Sequence, residues 1–319
     1  MALNTTISTL SFSPLPARTV TETVDQAIEW IDLAAHDRPD LIVLPEGFAG
    51  GNDQCAQSEG MVCASAEPIG GPTVSRIAER AARHQCYICA AVFIERGGKR
   101  FNSVVVLDRS GEVAGVYDKV YPTILELEQG RNIMPGREPV VVETDFGRVG
   151  SVVCFDLNFD DLRRAYACLN PDLLVFASMF AGGMLMQAWA LLNHCYVVSA
   201  YGSSGSVFVN PLGRVLAVSG LPQSRILTRR INLDYEVLHL DYNQRKLDDL
   251  RLRYGATVDI DIAEPEGLMV LTSLDERLTA RDICEDMELE PIDAFFARSL
   301  KARQQAIENG PIPQGPSQF

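Results

Sequence analysis

A long stretch without charged side chains constrains the fold more than any other feature of this sequence. Asp, Glu, Lys and Arg are all absent from Leu173 to Gly213. Its length would suit a membrane-spanning helix, but Gly182-Gly183, Asn193 and Asn210-Pro211 interrupt it. We therefore interpret it as two buried strands and a covered helix, which predicts a layered α/β protein.

Composition limits the partners that this chain can have. It has 319 residues, of which 47% are hydrophobic, enough for one large or two ordinary globular domains. The 28 Lys and Arg against 42 Asp and Glu give a formal charge of -14. This acidic balance argues against nucleic acid and anionic membranes as partners. The first residues lack a basic segment followed by an apolar run, so we expect a cytoplasmic protein with reduced thiols.

One cysteine pair has the spacing of a metal or redox motif. Cys86 and Cys89 are separated by two residues. The sequence has no second such pair, and Ile88 to Ile94 is typical of a strand. We therefore do not expect a metal there.

Three predicted strands end in a chemically reactive residue. The apolar run Leu41–Leu44 precedes Glu46, and a meander of short strands ends at Lys119. Val149–Val153 resembles a buried strand and is followed directly by Cys154. Because strand ends of one direction meet at a common crevice, these three side chains can converge on one cleft.

A carboxylate, an ammonium group and a thiol suffice for acyl transfer. The carboxylate takes the thiol proton, the thiolate attacks a carbonyl carbon, and the cation holds the oxyanion. Each residue also has an ordinary interpretation. Cys154 could be a small buried hydrophobe, Glu46 a surface strand end and Lys119 a solvated charge. Only the joint pattern favours chemistry.

The chain changes character after Ile231. Tyr235 to Arg253 is highly charged and predicts a helix, and Met269 to Ser273 predicts one more strand. Asp275 to Glu308 is rich in helix formers, with a break at Pro291. We expect the Pro- and Gly-containing tail 309–319 to be mobile.

The ordered motifs resemble the nitrilase, or carbon–nitrogen hydrolase, superfamily over roughly residues 2–273. Three motifs in register form a strong signal, although each of them is weak alone. The matching segments are Leu41-Ile42-Val43-Leu44-Pro45-Glu46, Asn102-Ser103, Tyr117-Asp118-Lys119, Pro135-Gly136, Gly150-Ser151-Val152-Val153-Cys154-Phe155-Asp156, Asn193 and Asn210-Pro211-Leu212-Gly213.

The resemblance implies a four-layer α-β-β-α sandwich over residues 1–274, followed by a helix-rich extension over 275–319. It implies Cys154 as nucleophile, Glu46 as general base and Lys119 as oxyanion stabiliser, with the Phe155 backbone N–H as a second donor. The intermediate would be a thioester, and no metal or organic cofactor would be needed. A small-molecule amide substrate and a homodimer or higher homo-oligomer are implied as partners.

The family also uses a second glutamate, and two residues of this chain qualify. Glu126 and Glu128 lie between Lys119 and the Pro135-Gly136 turn. In an extended segment both would face the same way, so alternation does not choose between them. Glu128 is nearer the usual distance before the turn, and we prefer it.

The residues after the nucleophile bear on the substrate. Phe155-Asp156 stands where nitrile-hydrolysing members tend to carry Trp-Glu, which favours an amide or carbamoyl compound over a nitrile. Phe159-Asp160-Asp161 departs from the usual Phe-Pro-Glu. Tyr121 and Met179 are candidates for an apolar wall at the substrate.

Three alternatives share this fold: nitrile hydrolysis, acyl transfer from the thioester to an amine, and a catalytically silent binding protein. Serine-hydrolase chemistry is disfavoured because no Gly-x-Ser-x-Gly occurs. A nucleotide phosphate loop is absent as well.

Overall fold

The chain divides into two compact units in a computed structural model. The larger unit is Thr5–Ile231, and the smaller one combines Met1–Asn4 with Asn232–Phe319. The structure describes residues 3–12, 19–50, 65–128, 132–203, 205–220 and 225–311.

The first sheet of the larger unit has six strands in the order β12-β1-β2-β3-β4-β5. Strands β1 to β3 are parallel, and β3 to β5 form an antiparallel meander. Two helices, α1 and α2, accompany this sheet. The bounds are β1 Asn4–Leu10, α1 Val20–Ala34, β2 Leu41–Val43, α2 Pro72–His84, β3 Tyr87–Arg96, β4 Lys99–Leu107, β5 Val113–Asp118 and β12 Ile226–Asn232.

The second sheet has the order β11-β10-β9-β8-β7-β6, with β7, β8 and β9 parallel. Its elements, with the short helix α3 that precedes them, are α3 Ile124–Leu127, β6 Val141–Thr144, β7 Gly147–Val153, α4 Asp160–Leu169, β8 Leu173–Ser178, α5 Met184–Asn193, β9 Tyr196–Tyr201, β10 Val207–Val209 and β11 Val215–Val218. All of β8 is buried. The uncharged stretch thus forms the predicted buried strands, β8 and β9. It also contains β10 and the helix α5, which is partly exposed rather than covered.

The two sheets face each other between layers of helices. Strand β4 contacts β7, and β5 contacts β6. On the outer side of the first sheet, α1 and α2 share one apolar core with its strands. Helix α5 packs on β9 and on α4. This arrangement confirms the predicted α-β-β-α sandwich.

Helix α1 shows how the sequence specifies an element of this layer. Thr19 accepts the backbone N–H of Glu22, and the Glu22 carboxylate accepts the backbone N–H of Thr19. This capping box satisfies N–H groups that the helix cannot pair internally. Val24, Ile28 and Ile31 recur at helical spacing and are buried.

The smaller unit contains a three-stranded antiparallel sheet in the order β13-β15-β14 and four helices among its described residues. Buried side chains from the strands and from α7 and α8 form its core. The bounds are β13 Tyr235–His239, α6 Leu240–Asn243, α7 Leu247–Tyr254, β14 Val258–Ala263, β15 Leu268–Ser273, α8 Ala280–Asp286 and α9 Ile292–Asn309.

The helix predicted from Tyr235 to Arg253 is wrong in its first part. Tyr235–His239 is a strand that pairs with β15, and helical structure begins only at Leu240. Val237 and Leu238 are buried in this strand. Their burial between paired strands outweighs the helical preference of the charged residues that follow.

The helix-rich character after residue 275 is confirmed by α8 and α9. The compact units separate between Ile231 and Asn232, while the domain boundary at 274/275 stays a prediction. The mobile tail predicted for 309–319 lies outside the described residues from 312 onward. Within the described parts of the chain, the helices are too short or too polar to cross a membrane. The cytoplasmic location stays a prediction.

The Pro135-Gly136 motif lies against the end of β5 and offers a test of packing. Gly136 donates its backbone N–H to the Lys119 carbonyl at 2.7 Å, and a Cβ at Gly136 would stand 2.1 Å from the Asp118 carbonyl oxygen. We expect Gly136→Ala to lower the free energy of unfolding by about 1–3 kcal/mol, because the backbone beside Lys119 must move.

Gly70→Ala is the matched control, because a Cβ there meets nothing within 4 Å. Denaturant unfolding of both variants measures the difference. Equal stability of the two variants would contradict the close approach at Gly136.

Candidate active site

Three strand ends of the larger unit bring Glu46, Lys119 and Cys154 together. Glu46 follows β2, Lys119 follows β5 and Cys154 follows β7. The Lys119 Nζ donates to Glu46 Oε1 at 3.1 Å. Glu46 lies close enough to Cys154 for its carboxylate to raise the pKa of the thiol. Glu46 is only 5% exposed and Lys119 1%, so the contacts lie away from bulk water.

The second carboxylate at the lysine is Glu126, and the preference for Glu128 is corrected. Lys119 Nζ donates to Glu126 Oε2 at 2.8 Å, while Glu128 is exposed. Glu126 and Glu128 were expected to face the same way because the segment was assumed to be extended. Glu126 instead lies in helix α3, and Glu128 lies just past the end of this helix.

A local sequence signal identifies Glu126. Thr123 accepts the backbone N–H of Glu126, and the Glu126 carboxylate accepts the backbone N–H of Thr123. Thr-x-x-Glu is the capping-box pattern that marks a helix start. This pattern would have predicted a helical turn and separated the two glutamates.

Burial and nearby charge have opposite effects on the pKa values of Glu126 and Lys119. Burial raises the pKa of Glu126, but the charge of Lys119 and hydrogen bonds from Lys119 and Asn102 outweigh it, so the pKa lies below its usual value. Burial likewise disfavours the Lys119 ammonium, yet Glu46 and Glu126 raise its pKa above its ordinary value. The ion pairs therefore keep Glu126 and Lys119 ionised.

The nucleophile candidate lies in a strained turn. Cys154 has φ 49°, a left-handed conformation that side chains other than glycine rarely adopt. It begins the 3₁₀ turn Cys154–Asn158. Burial, followed by the charge of Glu46, raises the pKa of the Cys154 thiol to about 12. The thiol is therefore protonated near neutral pH, and a base must take its proton.

Asp156 connects this turn to the segment around Lys119. Its carboxylate accepts the Val153 N–H at 2.9 Å, the Tyr117 hydroxyl at 2.7 Å and the Tyr121 N–H at 2.8 Å. Burial raises the pKa of Asp156 to about 6 against these hydrogen bonds. Sequence reasoning used Asp156 only as an indicator of substrate and missed this link.

The remaining predicted site residues are placed as follows. The Met179 backbone N–H donates to Glu46 Oε2 at 2.9 Å, and its side chain is 42% exposed. The Tyr121 ring stacks on Phe159 at 3.7 Å between ring centroids, and its hydroxyl donates to Asp161. Phe155 is partly exposed and meets the Phe159 ring edge-on. Their roles toward substrate, and the Phe155 N–H as oxyanion donor, stay predictions.

The described ranges contain no group of three or more His, Cys, Asp or Glu side chains that could hold a metal ion.

The fold and the candidate site together place this chain in a class of protein, the enzymes built on an α-β-β-α sandwich. The family model for carbon–nitrogen hydrolases matches residues 8–237. The chain therefore belongs to the carbon–nitrogen hydrolase family and is an amidase-type hydrolase of carbon–nitrogen bonds, and the resemblance to the nitrilase superfamily is confirmed.

Named relatives agree with this family. The chain is 26% identical over 259 residues to the chloroplastic omega-amidase of Arabidopsis thaliana, covering 71% of this chain and 69% of the relative. It is 28% identical over 227 residues to the deaminated glutathione amidase of Homo sapiens, covering 61% and 67%. A carbon–nitrogen hydrolase structure from Helicobacter pylori shares the fold, with a TM-score of 0.62 and 18% identity over 80% of this chain and 94% of that one.

Glutamine substitutions test which of the two glutamates, Glu126 or Glu128, acts on Lys119. We expect Glu126→Gln to lower kcat/KM for amide hydrolysis about 10- to 100-fold, because it removes one of the two ion pairs that hold Lys119. Glu128→Gln is the matched control and should leave activity within about twofold, since its side chain is exposed. Steady-state kinetics measures both. A larger loss in Glu128→Gln than in Glu126→Gln would contradict the assignment.

Proposed function

We propose that the protein hydrolyses a small linear amide or carbamoyl compound through a thioester on Cys154. The observation that carries this proposal is the buried contact of Glu46 with Lys119 Nζ, beside a Cys154 thiol whose pKa Glu46 raises. A base, a cation and a nucleophile in mutual contact are the groups that acyl transfer requires.

In the first half-reaction Glu46 takes the proton of Cys154, and the sulfur forms a bond to the carbonyl carbon. The resulting oxyanion is held by Lys119 Nζ and the Phe155 N–H. The carbon–nitrogen bond then breaks as Glu46 returns the proton to the departing nitrogen. Ammonia or an amine leaves, and the acyl group remains on sulfur as a thioester.

In the second half-reaction water replaces the amine. Glu46 takes a proton from water, and the hydroxide oxygen bonds to the thioester carbon. The carbon–sulfur bond breaks, the carboxylic acid leaves, and the sulfur regains its proton from Glu46. Throughout this cycle Glu126 holds Lys119 in place, because the ion pair fixes the direction of the ammonium group.

An amide is favoured over a nitrile as substrate by two considerations. Phe155-Asp156 follows the nucleophile, as in the amide-hydrolysing branches that the sequence resembles. The relatives compared above carry the names omega-amidase and deaminated glutathione amidase. Tyr121 and Met179 are proposed to form part of the wall that contacts the acyl group.

Self-association is proposed alongside this activity. On α5, the side chains of Met184 and Leu192 are 83% and 52% exposed. Exposed apolar side chains on one helix are typical of surfaces that pair with another copy. Sedimentation of the purified protein at several concentrations would test a homodimer or higher homo-oligomer, and a monomer throughout would contradict it.

Substitution of the proposed nucleophile tests the function. We expect Cys154→Ala to abolish ammonia release from small amides, omega-amides and carbamoyl compounds, because no sulfur remains to form the thioester. Cys168→Ala is the matched control, since Cys168 is an exposed cysteine on α4, and it should retain full activity.

The same experiment distinguishes the alternatives. Hydrolysis of every accepted substrate by Cys154→Ala would defeat the proposal. Turnover of nitriles but not amides would favour nitrile hydrolysis, and hydroxamate formed from amide and hydroxylamine would reveal acyl transfer. Absence of both turnover and thiol alkylation would indicate a silent binding protein.

A further inference from the structure

Asn102 touches three members of the candidate active site. It lies on β4, and its side chain is 1% exposed. Its Nδ2 donates to Glu46 Oε1 at 2.8 Å and to Glu126 Oε1 at 2.9 Å. Its backbone carbonyl accepts the Lys119 N–H at 2.8 Å. The residue thus bridges both carboxylates and fixes the backbone of the lysine between them.

The orientation of the Asn102 amide follows from its neighbours. Both contacts of the amide group are carboxylate oxygens, which accept hydrogen bonds and would repel a carbonyl oxygen. The two Nδ2 hydrogens therefore face Glu46 and Glu126. Asn102 Oδ1 is buried and has no hydrogen-bond partner in the structure. Leaving a buried acceptor unpaired is unfavourable, so the stability of the fold alone does not explain this residue.

The charges of the cluster indicate what the amide does. Two carboxylates share one ammonium group, which leaves an excess of one negative charge in a buried site. Like charges in a buried site favour the uptake of a proton by one of them. A neutral amide that donates to both carboxylates opposes this uptake and adds no second cation to compete with Lys119.

We propose that Asn102 is a positioning residue that directs Glu46 and Glu126 at Lys119 and holds Glu126 ionised. This inference rests on the proposed function and deepens it, because it assigns control of the protonation of the site to a neutral side chain outside the reacting groups.

The direction of the pH effect follows from the contacts. The charged and titratable groups at the two carboxylates are Lys119 after β5 and Cys154 after β7, with Glu46 and Glu126 facing each other across Asn102. Removing the Nδ2 donors takes away one of the contacts that lower the pKa of Glu126, so this carboxylate binds a proton at higher pH. The acid limb of the pH–activity profile, where activity falls at low pH, therefore moves to higher pH.

Leucine at position 102 tests this prediction, because it has the same number and branching of side-chain heavy atoms as asparagine and no donor. We expect Asn102→Leu to lower kcat/KM about 10- to 100-fold near neutral pH and to move the acid limb upward by about one pH unit. Asn102→Asp has the same shape but adds a third carboxylate. It should move the limb in the same direction and be less active than Asn102→Leu.

A second readout does not depend on the identity of the substrate. The rate of iodoacetamide alkylation of Cys154 is followed by mass spectrometry across pH, with the exposed Cys168 of the same sample as internal reference. Because a base must take the Cys154 proton, its alkylation should show the same upward shift in the Asn102 variants. The Cys168 rate should be unchanged.

Ser103→Ala is the matched control. Ser103 is the next residue on β4, is buried, and donates its hydroxyl to Asp118 Oδ1 at 2.7 Å, outside the cluster. Its loss should lower the melting temperature and leave both pH profiles unchanged.

The outcomes separate this inference from the proposed function. The role of Asn102 would be overturned if the acid limbs of Asn102→Leu and Asn102→Asp coincided with those of the unmodified protein and of Ser103→Ala. Failure of the unmodified protein to hydrolyse any amide or to alkylate at Cys154 would instead overturn the function itself. If Asn102→Leu does not fold, the isosteric Asn102→Asp decides the result.

Discussion

The interaction on which the site depends is the burial of one ammonium group between two carboxylates. Removing three charges from water costs several kcal/mol per ion, and attraction offsets this only when the geometry is close and the remaining oxygens are paired. The structure meets this demand with contacts to Glu46 from Lys119, Asn102 and the Met179 N–H. Glu126 is paired by the same lysine and amide and by Thr123. The surrounding groups are thus arranged to pair the oxygens of both buried carboxylates.

The sandwich matters because neither sheet carries the whole site. Glu46 and Lys119 end strands of the first sheet, whereas Cys154 ends a strand of the second. Asp156 ties the two together, because it accepts hydrogen bonds from the turn at Cys154 and from residues on both sides of Lys119. Alignment of Glu46 and Cys154 is therefore a property of the tertiary packing rather than of any one element.

Sequence reasoning predicted the features that local patterns encode. Apolar runs that end in Glu46, Lys119 and Cys154 predicted their convergence, because strand ends of a layered protein meet at one edge. Glu126 was named as a candidate but ranked below Glu128, although a capping box with Thr123 marks it. Asn102 lies 56 positions from Glu46, and no spacing rule connects a strand amide to such a distant carboxylate. The strand at Tyr235 was missed because its pairing partner β15 lies beyond two intervening helices.

The protonated state of Cys154 has a consequence for the lifetime of the protein. Peroxides oxidise thiolates and react slowly with thiols. Burial, followed by the charge of Glu46, raises the pKa of the Cys154 thiol to about 12, so the sulfur is a thiol near neutral pH. The same surroundings that keep the sulfur protonated therefore slow its reaction with peroxides.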